Sequence, residues 1–439
     1  MTRRAHSRLR RSLEFAQRGA ALMVLALLVA CQPPNGGPPA SQPATGAWSM
    51  FRGDLARDGH PGGATLSPAG SARLALSWRG QLDGAIDGTP VVARGIVIVS
   101  SAGGTLTAFD ALTGRMIWSK HDLGAISSSP AVDGNQSRVF VGTLTGRLYA
   151  FGLLRGEPIW QWTGPPDSAL WASPVAYRDE VIIGIASPYG DVPLVAGRLV
   201  GLDASTGQAR WTRCVRAGCE PGDGLWSTPA IDSHGVAFVG VGNPDDGVLA
   251  IDPLTGTPKW MTSLYPDSDR DLDVGATPVI FTLEAREVVA QATVEGMFAV
   301  LDATTGNVVW SKELVRGSAV HGLIASPAFD GTHIYTGSAT RPTAMFALKP
   351  SDGSTAWRYD VADPIYSAPA VAKGVVIFGT GAVFGDLSTG SVVALSSSDG
   401  HRLWSYDTHS AVRSGPALAG DLVFVGDSAG DLLAFRPKS

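Results

Sequence analysis

The stretch "GTLTAFDALTGRMIW", Gly104–Trp118, decides the fold, because nearly the same phrase returns along the chain. It reappears as "GRLVGLDASTGQARW" (Gly197–Trp211), "GVLAIDPLTGTPKW" (Gly247–Trp260) and "GMFAVLDATTGNVVW" (Gly296–Trp310). A catalytic motif usually occurs once, whereas a phrase repeated at a near-fixed interval is architecture. Each unit begins with a Ser, Thr, Ala or Gly followed by Pro: Pro90, Pro130, Pro174, Pro229, Pro278, Pro327, Pro369 and Pro416. Each ends with a tryptophan, and these are Trp78, Trp118, Trp160, Trp211, Trp260, Trp310, Trp357 and Trp404. Both series have eight members, spaced 40 to 55 residues apart.

Within a unit the apolar runs are short: "TPVVA", "GIVIVSS", "GTLTAFD", then "TGRMIW". They are β-like and separated by Gly, Asp and Thr-Gly turns. Four strands at this period predict propeller blades, and eight units predict an all-β, eight-bladed β-propeller. The Thr-Gly pair turns the chain from third to fourth strand, where Gly tolerates positive φ. The Trp on the fourth strand is expected to wedge against the next blade. Burying about 150–250 Å² of indole is worth about 4–6 kcal/mol gross. Trp78 precedes the first Pro, and the last unit ends at "LLAF" (Leu432–Phe435) without a Trp. The N-terminal strand is therefore expected to supply the outer strand of the last blade and close the ring.

The 439 residues are 44% hydrophobic and 17% charged, a globular composition. A net charge of −5 gives no reason to expect nucleic acid as a partner. Gly (54) and Pro (29) are plentiful, as many turns require. Arg-rich residues 1–18 precede "GAALMVLALLVA" (Gly19–Ala30), a run too short for a comfortable membrane span. This is the layout of a secretory signal. Its end, "LVAC" (Leu28–Cys31), resembles the bacterial lipobox, whose cysteine receives the lipid. The resemblance implies a signal peptide over 1–31, lipidation at Cys31 and anchoring to the membrane. A plain signal or an uncleaved anchor is the alternative. Gln32 after the cysteine implies outer-membrane sorting, facing the periplasm, in a Gram-negative cell. Residues 32–47, nearly all Pro, Gly and small polar residues, read as a flexible tether. Residues 48–439 read as one propeller domain. Cys214 and Cys219 are close enough in sequence for a local disulfide outside the cytoplasm.

"FDALTGRMIW" and its siblings resemble the tryptophan-docking repeats of quinoprotein alcohol dehydrogenases, and "WSMFRGDLARDGH" (Trp48–His60) resembles the leading segment of many relatives. The same repeats build non-enzymatic scaffolds, the BamB-type lipoproteins, so function has to be argued from one face of the disc. Three segments lie there. "GDGLWSTPAID" puts Trp226 before an inner strand, where the family's Trp underlies the flat pyrroloquinoline quinone (PQQ); a rim aromatic is the alternative. "VGVGNPDDG" puts Asn243 where the family's Asn binds catalytic Ca²⁺, although Asn-Pro also simply starts turns. "DSDRDLDVGATPVIF" puts Asp273 where the family's carboxylate takes the alcohol proton, with Asp267, Asp269 and Asp271 crowding the same loop. A solvated acidic turn is the bland alternative.

The departures are equally specific. The family's Glu metal ligand is missing from "GIASPYGDVPLVAG", where Asp191 is the one carboxylate, out of register. The quinone-binding cation is replaced by Val294, leaving Arg341 and Arg413 as cations that other blades could bring to the funnel. No Cys-x-x-Cys-His is present for a c-type haem. "WASPVAY", "GLWSTPAID" and "DLDVGATPVIF" are most similar to the polyvinyl-alcohol dehydrogenase branch. That implies a secondary alcohol as substrate, PQQ and Ca²⁺ as cofactors and a separate electron acceptor. The competing expectation is a non-catalytic propeller that binds a protein or small ligand.

Overall fold

The computed structural model describes residues 48–222, 224–265 and 272–438. The signal, Cys31, the tether, and Asp267, Asp269 and Asp271 lie outside the described residues. Among the described residues, eight four-stranded antiparallel sheets stand round an axis, and the helical content is a single turn at Pro68–Ser71 and a short 3₁₀ segment. We number the blades from Val91–Ala93, the inner strand of blade 1. The strand Leu74–Gln81 pairs antiparallel with Asp431–Pro437 and completes blade 8, as the missing final Trp implied. No described helix is long and apolar enough to cross a membrane.

Burial follows position in the blade. The middles of the second and third strands are buried, and in blades 1 and 4 these strands are buried along their whole length, because neighbouring blades cover both faces. Outer strands such as Pro158–Thr163, Pro258–Ser263 and Thr355–Asp360 alternate between exposed and half-buried residues, with the Trp on the covered side.

The repeated phrase now has a physical account. Asp110 ends a third strand, and its Oδ1 accepts the Thr113 N–H (2.9 Å) and hydroxyl (2.8 Å), capping the turn. Gly114 then adopts φ +70°, and a side chain there would begin 2.6 Å from the Trp78 ring of the preceding blade. The same face-on contact joins Gly156 to Trp118, Gly207 to Trp160, Gly256 to Trp211, Gly306 to Trp260, Gly353 to Trp310 and Gly400 to Trp357. The Thr-Gly turn and the Trp are thus two halves of one inter-blade contact. Most indoles also donate to a carbonyl of the next blade, for instance Trp118 Nε1 to Leu153 O (2.9 Å). Trp211 differs and donates to Glu180 Oε2 of its own blade (3.1 Å).

The segment Trp48–Gly59 closes one end of the axial channel, a role that the sequence reading did not assign. Its backbone carbonyls accept N–H groups from the inner strands of five blades: Ser49 from Val132 (2.7 Å), Leu55 from Ile231 (2.8 Å), Ala56 from Ile280 (2.9 Å), Asp58 from Phe329 (2.8 Å) and Gly59 from Val371 (2.8 Å). Two fully buried arginines point inward from it. Arg52 donates to the carbonyls of Pro369 and Pro327 (2.8 Å to the latter), and Arg57 to the carbonyl of Pro229 (3.0 Å). Burial lowers Arg52 to about 9. In the same segment burial, reinforced by Asp54, pushes Asp58 up to about 7.

Candidate functional site

Above the plug the channel widens into a cavity of about 170 Å³ with Phe51 in its floor. Its wall follows a rule written in the sequence. The residue immediately before each of the eight prolines lines it, and so does the residue three before each proline.

The lower ring is a chain of hydroxyls. The backbone N–H of Thr89 donates to Ser129 Oγ (2.8 Å), that of Ser129 to Ser173 Oγ (3.0 Å), and that of Ser173 to Thr228 Oγ1 (2.9 Å). Thr228 continues it to Thr277 Oγ1 (2.9 Å), and Thr277 to Ser326 Oγ (2.9 Å). Each blade thereby satisfies a buried donor of its neighbour, which explains Ser or Thr before Pro. Ala368 and Gly415 interrupt the ring. At Gly415 a side chain would begin 2.6 Å from Thr89 Oγ1.

The upper ring carries the chemistry. In blade order it is Asp87, Ser127, Trp171, Trp226, Gly275, Ile324, Tyr366 and Arg413. Two poles face each other across it. At the seam of blades 8 and 1, Arg413 Nη2 lies 2.8 Å from Asp87 Oδ1, and Ser127 Oγ donates to Asp87 Oδ2 (3.3 Å). Burial raises Asp87, and Arg413 opposes that rise. The buried Nε–H of Arg413 has no acceptor among the described residues. Opposite stand Trp171 and Trp226. Tyr366 flanks the polar pole; its hydroxyl donates to Val320 O (2.9 Å), and burial pushes it up to about 12.

Trp226, Asn243 and Asp273 converge at the aromatic pole. Trp226 is half-buried, and its Nε1 donates to Asp273 Oδ2 at 2.8 Å. The backbone N–H of Asn243 donates to Asp273 Oδ1 at 2.8 Å. Two loops of blade 4, lying 30 and 47 residues before Asp273 in sequence, thus aim the one buried carboxylate of blade 5. The indole lies over Gly275, where a side chain would begin 1.9 Å from Cζ2. Tyr265 donates to the carbonyl of Leu272 and anchors the approach to Asp273.

The remaining sequence candidates are distributed as follows. Val294 is buried, and its N–H donates to the Asp273 carbonyl (3.1 Å), so an apolar residue stands where the resemblance implied a cation. Arg413 lines the cavity, whereas Arg341 lines a separate shallow groove with Asp360. Asp191 lies near the tip of a loop over 186–197, with φ 54°. Among the described residues no three His, Cys, Asp or Glu side chains cluster as a metal site. Cys214 and Cys219 are joined in a disulfide that pins the end of an outer strand of blade 3. Asp87, Trp171 and Tyr366 were missed by sequence reasoning, although their place three before Pro would have found them.

A family model described as outer membrane protein assembly factor BamB matches residues 61–262, 227–326 and 294–439. The chain belongs to this BamB-type family of PQQ-like propeller repeats. The polyvinylalcohol dehydrogenase of Sphingopyxis sp. (strain 113P3) is 24% identical over 364 residues, covering 67% of this chain and 56% of that protein. The chain thus spans just over half the length of that curated relative. The outer membrane protein assembly factor BamB of Burkholderia pseudomallei (strain K96243) is 27% identical over 277 residues, covering 62% of this chain and 65% of that protein. In fold, the quinohemoprotein alcohol dehydrogenase from Comamonas testosteroni superposes with a TM-score of 0.77 at 18% identity, covering 91% of this chain and 82% of its own.

Proposed function

We propose that this propeller binds PQQ in the axial cavity and oxidises a secondary alcohol at its mouth. The observation that carries the reading is the Trp226–Asp273–Asn243 constellation at the rim of a cavity with a guanidinium opposite. The residues suit a planar anionic ring system. Trp226 offers a flat apolar surface, and Arg413 keeps one donor unused. The hydroxyl ring lies below for polar edges. They do not make a calcium site by themselves: Ca²⁺ takes six to eight oxygens, and of the expected ligands Asn243 and Asp273 alone stand together here. No step is therefore assigned to a metal.

When bound, the quinone would supply the two-electron acceptor for the alcohol carbon. The chain's own part is positional and acid–base. Asp273 is buried, and its two oxygens accept the Trp226 indole N–H and the Asn243 backbone N–H, which fix the plane of the carboxylate. A carboxylate held in this way is the group that would take the hydroxyl proton of an alcohol placed at the cavity mouth. Trp226 holds the carboxylate in plane and excludes water beneath the substrate. Val294 keeps the wall behind Asp273 apolar. Electrons then leave to a separate acceptor, and export with a lipid anchor at Cys31 belongs to the same reading.

The test uses the purified full chain incubated with PQQ, with and without Ca²⁺, and an artificial dye as oxidant. Dye reduction with secondary alcohols is expected, together with a thermal shift on adding PQQ, and Asp273→Leu should remove the first and leave the second. Absence of both in the wild type overturns the reading. A non-catalytic role is the second reading, favoured by Val294 at the cation position and by the BamB description of the family. Recovery of outer-membrane assembly proteins on the wild-type chain, with no PQQ-induced shift, would establish it.

A further inference from the structure

Two long loops on the cavity side of the disc meet above the axis. One joins the second and third strands of blade 3 and spans 186–197; the other occupies the same place in blade 7 and spans 381–390. Blades 3 and 7 stand opposite each other in a ring of eight. Yet the rings of Tyr189 and Phe384 have centroids 6.3 Å apart, tilted by 44°. Contact between opposite blades requires both loops to reach over the centre. The pair therefore spans the mouth of a cavity whose other end is shut by Trp48–Gly59.

The loops are firm at the roots and open at the tips. In the first loop, Ser187 Oγ donates to Gly222 O (3.1 Å) and accepts the Val195 N–H (3.0 Å), and Ala186 bridges to Ala169 and Gly224. In the second, the Leu387 carbonyl accepts the Ala411 N–H (2.9 Å), and the Gly381 N–H donates to Pro364 O (2.9 Å). Between these roots, among the described residues, nothing but the adjoining chain lies within 4 Å of where a side chain at Gly190 or Gly385 would begin. Tyr189 is 73% exposed and Phe384 47% exposed, so their contact is mostly wet and weak. The Trp171 indole, part of the cavity wall, donates to Ser187 O (2.9 Å) and ties that wall to the root of the first loop.

We propose that the two loops are leaves of a lid, latched by Tyr189 against Phe384, that parts to admit whatever occupies the cavity. The leaves move about their roots, near Ser187 and Gly381, while the blades stay fixed. Val192 and Leu194 on the first leaf and Phe384 on the second are apolar and exposed, so a closed lid also limits water over the Trp226 pole. The proposal is independent of which ligand the cavity holds.

Accessibility of a thiol inside the cavity tests it. The full chain carrying Cys31→Ser is given a reporter, Ser127→Cys, with Ile324→Cys as a second reporter should the first perturb Asp87. Modification by a small charged methanethiosulfonate is followed by mass. Ser205→Cys, in an exposed turn at the far end of the strands, is the open control. Both reporters should react at least ten-fold more slowly than the control. Tyr189→Ala with Phe384→Ala should speed them at least five-fold and leave the control unchanged. A reporter as fast as the control in the latched protein, or a slow one unmoved by removing the latch, overturns the lid.

Discussion

Replacing Gly275 by alanine tests how Trp226 and Asp273 are held together. The added Cβ would sit 1.9 Å from Cζ2 of Trp226 and 2.0 Å from Cε2 and Cη2. Carbon atoms rest at about 3.5 Å or more, so the indole must retreat by about 1.5 Å. Its bond to Asp273 Oδ2, now 2.8 Å, would pass beyond the roughly 3.2 Å limit for N–H···O. Overpacking costs about 1–3 kcal/mol, and loss of a bond to a charged acceptor about 1.5–3 kcal/mol. Because the half-exposed ring has room to move outward, the expected total is about 2–4 kcal/mol. Equilibrium urea unfolding should show a lower midpoint with an unchanged slope. The decisive measurement is a double-mutant cycle. On a Trp226→Ala background, Gly275→Ala should cost less than about 1 kcal/mol, because the clash and the bond are already gone. If the full cost persists without the indole, or if Gly275→Ala leaves the wild-type midpoint unmoved, the seat described for Trp226 is wrong.

Arg52→Ala should be among the most damaging changes, at about 3–5 kcal/mol by thermal or urea unfolding, because it empties a buried site and strands the carbonyls of Pro327 and Pro369. Asp58 titrates from an ordinary 3.8 up to about 7 in the fold, so it holds its proton more tightly folded than unfolded. Its contribution to stability is therefore present below about pH 4 and is lost as the pH rises toward 7. Asp58→Asn should melt higher than the wild type at pH 8 and together with it near pH 4; an equal gap at both values would contradict the burial. Cys214→Ser with Cys219→Ser opens a loop with a sequence separation of 5, and loop entropy puts the loss at about 2 kcal/mol, read as a Tm drop that reducing agent reproduces in the wild type.

The ring was legible in the sequence because its stabilising contact repeats. Asp110, Gly114 and Trp78 belong to one inter-blade joint, and the joint leaves the same letters in blade after blade. The closing strand was legible for the same reason, since Trp78 is a repeat letter without its blade. The placing of Trp226, Asn243 and Asp273 near one another needed the resemblance plus blade topology. What could not be read were contacts set by closure of the whole circle. Asp87 and Arg413 are 326 residues apart in the chain and meet because blade 8 adjoins blade 1. Arg52 reaches Pro369 because a single segment threads the hub, and it carries no repeat. Tyr189 and Phe384 touch because two loops happen to be long in opposite blades, and loop length alone does not say which way a loop leans.

The residue three before each proline has a consequence for redesign. Each blade contributes one letter to the funnel wall, and here the eight spell Asp-Ser-Trp-Trp-Gly-Ile-Tyr-Arg. Single substitutions at these positions would therefore re-letter the funnel one blade at a time, with Gly275 the exception because Trp226 is seated on it.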